Sequence, residues 1–292
     1  MHAERTLGFY VLSAFFAAYV LFLYGPMIAI YILSFQGPDG GLTFPMNGVS
    51  LVGFYKLFAG TGIIDIGAAF MRSLRLGLVV MVLTMVLSVA AGMAFRKRFA
   101  GAGLLFYTAI ASLIVPSIVA SLGIALEFRL LDDAINWFGV ADWTTAMGLY
   151  TSGLGAHLTW TLPFGLLIMF AVFNRFDARL EEAGRDLGAT QWQVFRHVVL
   201  PIILPSVIGI GLFGFTLSWD ELARSSQAIG SINTLPLALQ GLTTTVTKPD
   251  IYALGTLTSA VSFIAIFAGL GAIGLIQRRQ ARRGSDAGKG MV

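Results

Sequence analysis

Residues 7–35 read LGFYVLSAFFAAYVLFLYGPMIAIYILSF, a run without one charged side chain. A helix needs about 20 mostly apolar residues to cross the hydrocarbon core of a bilayer. This run has residues to spare, so it must tilt, kink at Pro26 or protrude. It is too long for the core of a signal peptide, and no small-residue cleavage site follows a short apolar stretch, so it is expected to stay as an anchor.

The rest of the chain extends this reading. Of 292 residues, 57% are hydrophobic and 12% charged, and the mean hydropathy is +0.81. A water-soluble fold carries about a quarter of its residues charged, so a soluble enzyme is excluded. Five further runs follow, at about Leu76–Phe95, Ala102–Leu126, Gly148–Phe173, Pro205–Ser218 (with a possible extension to Ile229) and Ala253–Ile276. The expected fold class is all-α: a single polytopic membrane domain over residues 1–292 with six transmembrane helices. The chain has no cysteine, which excludes disulfides, thiolate metal sites and a cysteine nucleophile. A net charge of +4 over so many apolar residues gives no ground for nucleic-acid binding.

Orientation follows from the basic residues. Placing both termini in the cytoplasm puts Arg5, Arg96, Lys97, Arg98, Arg175, Arg179, Arg185, Arg196, Arg278, Arg279, Arg282, Arg283 and Lys289 inside, thirteen of the nineteen. The opposite topology inverts the ratio against the positive-inside rule. Arg278–Arg283 reads as a stop-transfer run that meets lipid headgroups, and the tail from about 282 to 292 is expected to be disordered. Outside, Gln36–Gly67 holds an apolar stretch, Leu51–Phe58, suited to a short helix, and Glu127–Met147 carries Asp132, Asp133 and Asp142 among Trp137, Phe138 and Trp143. These tryptophans suit the membrane interface.

The loop between the fourth and fifth runs, about 174–204, has more charges than a turn requires. Leu180, Ala183, Gly184 and Leu187 recur at helical spacing, and Gly188 can end that helix in a left-handed conformation. Thr190-Gln191-Trp192-Gln193 is a capping-box pattern that starts a second helix. Trp192, Phe195 and Val199 share its face, and Pro201 is expected to end it. Two short helices joined by a sharp bend therefore project into the cytoplasm.

The residues of this loop carry a resemblance. Glu182-Ala183-Gly184-Arg185-Asp186-Leu187-Gly188-Ala189, followed by Phe195 and Leu200-Pro201, closely resembles the EAA loop of ABC importer permeases: Glu-Ala-Ala, three residues, Gly, a spacer and a Leu-Pro ending. Gly184 stands where the family usually has its second alanine. Tyr24-Gly25-Pro26-Met27-Ile28 leading to Ser34-Phe35 is similar to the first span of these permeases, and Val115-Pro116-Ser117-Ile118-Val119 to the end of a cytoplasmic turn and the third span. Phe215-Thr216-Leu217-Ser218-Trp219-Asp220-Glu221 is similar to the fifth span of the branch that includes spermidine/putrescine permeases. Relatives in that branch carry iron, thiamine, phosphonates, opines and other small polar solutes.

The resemblance implies a non-catalytic permease subunit of a binding-protein-dependent importer in the bacterial inner membrane, moving a small polar solute such as a polyamine by alternating access. It implies two ATP-binding subunits, a second homologous permease and an extracytoplasmic solute-binding protein as partners. In the family this loop docks in a groove of the ATP-binding subunit, and carrying that role over assigns coupling to Glu182, Ala183, Asp186, Gly188 and Ala189. No G-x-x-x-x-G-K-[ST] stretch exists here, so ATP and Mg belong to the partner and the chain itself is expected to carry no cofactor. His2, His157 and His197 are far apart in sequence, so no metal site is expected.

Asp220 and Glu221 follow the fifteen uncharged residues of Pro205–Trp219, and carboxylates at membrane depth are costly enough to be candidate sites. With Ser218 and Trp219 they form the candidate solute pathway, and an amine suits two carboxylates beside an indole. Asp220 and Arg224 stand at i, i+4, so an internal salt bridge, direct solute contact and simple exposure at the outer mouth all remain open. Arg72 and Arg75 read as interfacial residues at the start of the second span, and Pro163 as a kink in the fourth. An ion-coupled secondary transporter using Asp220 or Glu221 is the alternative. It leaves the hairpin unexplained and lacks interrupted helices in two matching halves.

Overall fold

A computed structural model of the chain describes residues 6–59, 65–140, 143–245 and 250–289, with the backbone alone at residue 245 and beyond residue 278. Arg5, Asp142, Lys248 and the last three residues of the tail lie outside the described residues. The elements are α1 (Leu7–Leu33), α2 (Val52–Phe58), α3 (Ile66–Phe95), α4 (Ala102–Ala111), α5 (Ser117–Trp137), α6 (Leu154–Asn174), α7 (Arg179–Asp186), α8 (Gln191–Val194), α9 (Leu200–Trp219), α10 (Ser225–Ala228), α11 (Leu235–Thr245) and α12 (Asp250–Lys289). π-helical turns at Leu149–Gly153 and Phe195–Val199 lead into α6 and α9. The described residues are all-helical apart from one isolated bridge, Gln36 with Val49.

Five helical stretches among the described residues are long and apolar enough to cross a membrane: Leu7–Leu33, Ile66–Phe95, Leu149–Asn174, Gln191–Trp219 and Asp250–Arg278. The run expected at Ala102–Leu126 is not one helix. It divides into α4 and α5 around Ser112–Pro116, because Pro116 has no N–H to continue the ladder and biases Val115 away from helical backbone. Val115–Val119 is therefore a break within the apolar run rather than its entry.

Three further boundaries differ from expectation. The second span starts at Ile66 and takes Arg72 and Arg75 into the helix. Pro201 does not end the second hairpin helix. It falls at the first turn of α9, just past the π-turn, where the ladder is already shifted. α12 continues past the helix-forming run Gln277–Arg283 to Lys289, through most of the stretch expected to be disordered.

One compact unit comprises Ala68–Leu237 with the segment from Ser262 onward. Its centre is α3, α6 and α9, which meet through small residues. A Cβ on Gly165 would lie 2.0 Å from the Ser88 hydroxyl oxygen and 2.9 Å from its Cβ, and one on Gly92 would lie 2.8 Å from Met169. On α9, a Cβ on Gly211 would lie 2.6 Å from the Met85 sulfur and one on Gly214 3.1 Å from Thr84. Lipid tails are as apolar as leucine, so helices in a bilayer associate by this close packing and by polar contacts. One such contact is Thr84 Oγ1 to Thr161 Oγ1, 2.8 Å. Met169, Val194, Val199, Ile203, Val207 and Ile210 pack as one buried cluster, and Leu76, Val80, Leu149 and Ile229 as another.

The other unit comprises the segment up to Gly67 with Ala238–Val261. After α1 the chain closes on Gln36, whose amide donates to the Gly41 carbonyl at 3.1 Å and whose carbonyl accepts from the Asn47 N–H at 2.9 Å. The short helix expected at Leu51–Phe58 is α2, and Gly53 packs against Ala253.

At the far end of α5, Asp132 accepts hydrogen bonds from Thr145 Oγ1 (2.6 Å), the Ala146 N–H (2.6 Å) and Trp143 Nε1 (3.1 Å). The Thr145 hydroxyl, and after it the two N–H donors, hold this carboxyl below the usual range. Trp143 is thus a tie in the loop as well as an apolar surface.

Candidate functional site

The bend of the hairpin forms as its local sequence dictates. α7 ends in a full Schellman turn: the Gly188 N–H donates to the Arg185 carbonyl at 2.8 Å and the Ala189 N–H to the Gly184 carbonyl at 3.2 Å. Gly188 has φ +82°, a region that costs a residue with a Cβ about 1–2 kcal/mol. The capping box closes at once, with the Gln193 N–H donating to Thr190 Oγ1 (3.3 Å) and the Thr190 N–H to Gln193 Oε1 (2.7 Å). Gly184 lets the two arms approach, since a Cβ there would stand 3.2 Å from Val194.

One side of the hairpin is anchored. Glu181 pairs with Arg96 at 2.6 Å, and the Arg96 guanidinium lies over the rings of Phe173 and Phe176 at 4.9 and 5.2 Å. The other side is open. Glu182, Ala183, Asp186 and Gly188 are exposed and Ala189 is half-buried, while Leu187 is 89% and Trp192 65% exposed. An isolated surface leucine is ordinary. Here two large apolar side chains stand out from a charged bend, Trp192 with one face stacked on Phe195 at 5.5 Å. The Arg96–Glu181 anchor joins positions 85 apart in the chain, and no sequence spacing announced it.

The outer cluster is arranged differently from the candidate set. Trp219 is wholly buried, stacked on Phe215 at 5.9 Å and edge-on to Phe70 at 5.4 Å. Ser218 is also buried and lies 2.7 Å from Nδ1 of His157, itself buried. The His157 Nε2 is 2.9 Å from Ser225 Oγ, whose hydroxyl donates to the Glu221 carbonyl at 2.7 Å. The Ser225 proton is committed there, so Nε2 carries the imidazole proton and Nδ1 accepts from Ser218. This network ties α6 to α9 and to the segment after it, and no sequence spacing announced it.

Of the four candidates, Asp220 alone is exposed, at the C-terminal cap of α9, and Glu221 is half-buried. Glu221 Oε1 accepts the Arg224 N–H at 2.8 Å, so it caps its own turn. The i, i+4 salt bridge between Asp220 and Arg224 does not form. The Arg224 guanidinium turns away to Thr159 Oγ1 at 2.6 Å and the Ser112 carbonyl at 3.4 Å, and the ion pair found among the described residues is Arg96–Glu181. No group of three or more histidines and carboxylates able to hold a metal occurs among the described residues.

Comparison with known proteins places this geometry. A family described as "Binding-protein-dependent transport system inner membrane component" matches residues 84–283. The chain is 28% identical over 264 residues to the spermidine/putrescine transport system permease protein PotC of Haemophilus influenzae, covering 88% of this chain and 94% of that protein. It is 33% identical over 180 residues to the putrescine transport system permease protein PotI of Escherichia coli K12, covering 61% and 58%. A solved bacterial ABC transporter involved in the import of the acidic polysaccharide alginate shares the fold, with a TM-score of 0.62 at 14% identity over 93% of this chain and 95% of that one.

Proposed function

Because the chain belongs to the family of binding-protein-dependent transport system inner membrane components, and is a multi-pass permease subunit of an ABC importer in the bacterial inner membrane, we propose that it moves an organic amine inward by ATP-driven alternating access. The exposed bend Glu182–Ala189 carries this reading. It docks on a separate ATP-binding subunit, which holds ATP and Mg, while Arg96–Glu181 transmits the movement to α3. Two such subunits, a second homologous permease and an extracytoplasmic solute-binding protein complete the assembly. The α4–α5 pair makes the sixth crossing, and both termini face the cytoplasm, in keeping with thirteen of nineteen basic residues on that side.

Asp220 is the solute-facing acid at the outer end of α9, with Glu221 beside it and Ser218 and Trp219 buried behind them as the wall that fixes their backbone. Spermidine and putrescine are the solutes named for the relatives, and a carboxylate exposed at the mouth suits their charge. Two variants test this. Asp220→Asn keeps volume and removes charge, and Glu221→Gln also keeps the carbonyl that accepts the Arg224 N–H. In nanodiscs containing the whole complex, stimulation of ATP hydrolysis by amine-loaded binding protein is expected to fall about tenfold in Asp220→Asn, as for a charge pair contributing about 1.4 kcal/mol. Glu221→Gln is expected to cause a smaller loss, with the melting temperature unchanged. Full stimulation in both variants would remove these acids from the pathway.

A further inference from the structure

Arg224 is 1% exposed, and no carboxylate among the described residues forms an ion pair with its guanidinium. A buried cation in an apolar chain is retained only where polar groups answer it, and those here are a carbonyl that a proline has orphaned, at Ser112, and the Thr159 hydroxyl beside a second such carbonyl. In a continuous helix the Ser112 carbonyl would accept from the N–H of residue 116, which is Pro116. In α6 the Thr159 carbonyl would accept from residue 163, which is Pro163. The two positions meet. The Ser112 hydroxyl lies 2.6 Å from the Thr159 carbonyl, and Arg224 Nη2 reaches the Ser112 carbonyl at 3.4 Å while Nη1 holds Thr159 Oγ1 at 2.6 Å. The Trp160 ring faces the same guanidinium, its centroid 5.3 Å away.

The main chain of Arg224 holds the other half of the broken run. Its carbonyl accepts from Ser121 Oγ on α5 at 2.8 Å, and Ser121 Oγ in turn accepts the Gln227 N–H at 3.1 Å. One residue therefore grips the end of α4 with its side chain and α5 with its backbone. The ten residues of α4, at about 1.5 Å each, place this junction about 15 Å from the basic turn Arg96–Arg98, roughly half the hydrocarbon thickness. Unsatisfied backbone at that depth is tolerated only where protein groups answer it.

We propose that Arg224 is a positioning residue of the permease: it clasps the broken α4–α5 crossing to α6, so that the break and the Asp220–Glu221 corner move as one body when access changes. Asp220 and Glu221 lie within four residues of the clasp, and Glu221 is bonded to its N–H. The inference rests on the alternating-access reading. A wild-type complex whose uptake needs no ATP would sink that reading and leave the clasp standing, whereas the variants below test the clasp alone.

The test uses the complete importer in nanodiscs or proteoliposomes, with Arg224→Gln, Arg224→Lys and Ser121→Ala. Loss of the donor to one buried carbonyl is expected to lower the maximal uptake rate of Arg224→Gln about tenfold, while the concentration of loaded binding protein at half-maximal rate stays within about twofold. Arg224→Lys keeps charge and a donor and is expected to recover at least half the rate. A cysteine at Val115, in a chain with none of its own, is expected to react faster with a small thiol reagent in Arg224→Gln than in wild type. If Arg224→Gln does not assemble, Ser121→Ala carries the test, with a lowered maximal rate and the same faster labelling at position 115. A wild-type rate in Arg224→Gln, or a wild-type rate and labelling in Ser121→Ala, overturns the proposal. Equal losses in the Gln and Lys variants with unaltered labelling also overturn it.

Discussion

Gly188→Asp is expected to abolish coupled uptake while leaving the protein in the membrane, and Glu182→Lys to do the same by a different route. Gly188 sits at φ +82°, where any side chain with a Cβ costs about 1–2 kcal/mol. Relieving that strain reorients α7 against α8 and moves the exposed Leu187 out of register. The cost to the fold is small because the hairpin is rigid through local bonds and is anchored on its other side by Arg96–Glu181. Glu182 makes no ion pair within the described chain, so reversing its charge acts on whatever docks there. Uptake of radiolabelled amine by cells, with the membrane content of the variant measured by immunoblot, checks both. Wild-type uptake in both variants would refute the lever role of the hairpin.

Gly165→Ala is expected to produce the largest loss of stability. The added Cβ meets Ser88 at 2.0 Å from its oxygen and 2.9 Å from its Cβ, with Ile210 at 3.1 Å. Rotation of the Ser88 hydroxyl relieves the first contact only, so α3 and α6 must separate along a face that also holds Thr84–Thr161. Overpacking of this kind costs about 1–3 kcal/mol, and the expected readout is a lower melting temperature of the purified complex. Ser88→Gly in the same chain removes both close contacts and is expected to restore most of the loss. A Gly165→Ala complex that melts like wild type, or a double variant no better than the single one, would contradict the packing argument.

The sequence was most informative where structure is local. The capping box at Thr190–Gln193, the left-handed Gly188 and the short helix over residues 52–58 each depend on neighbours within a few positions, so spacing alone revealed them. Hydropathy located the apolar runs but not the division of the third, because a window average smooths over one proline. The signal was nevertheless present in Pro116 and its effect on Val115. Arg224 shows the limit more sharply. Its spacing to Asp220 suggested a salt bridge, and the structure instead sends the guanidinium to Thr159 and Ser112, 65 and 112 positions away. His157 likewise reads as an isolated histidine until folding brings Ser218 and Ser225 to its two nitrogens. Trp219, expected beside the solute, is occupied by Phe215 and Phe70, because an indole at the end of a helix in this core gains more from packing than from exposure.

Coupling requires that the bend of the hairpin touch the ATP-binding subunit, and Leu187→Cys measures that contact. The residue is 89% exposed and the chain has no cysteine to compete. With a short bifunctional thiol reagent acting on the complete importer, a cysteine at position 187 should cross-link to a cysteine placed on the surface of the ATP-binding subunit, and the yield should change between the nucleotide-free and vanadate-trapped states. Labelling of the same cysteine in intact cells by a membrane-impermeant thiol reagent, with no cross-link to the ATP-binding subunit in either state, would contradict it.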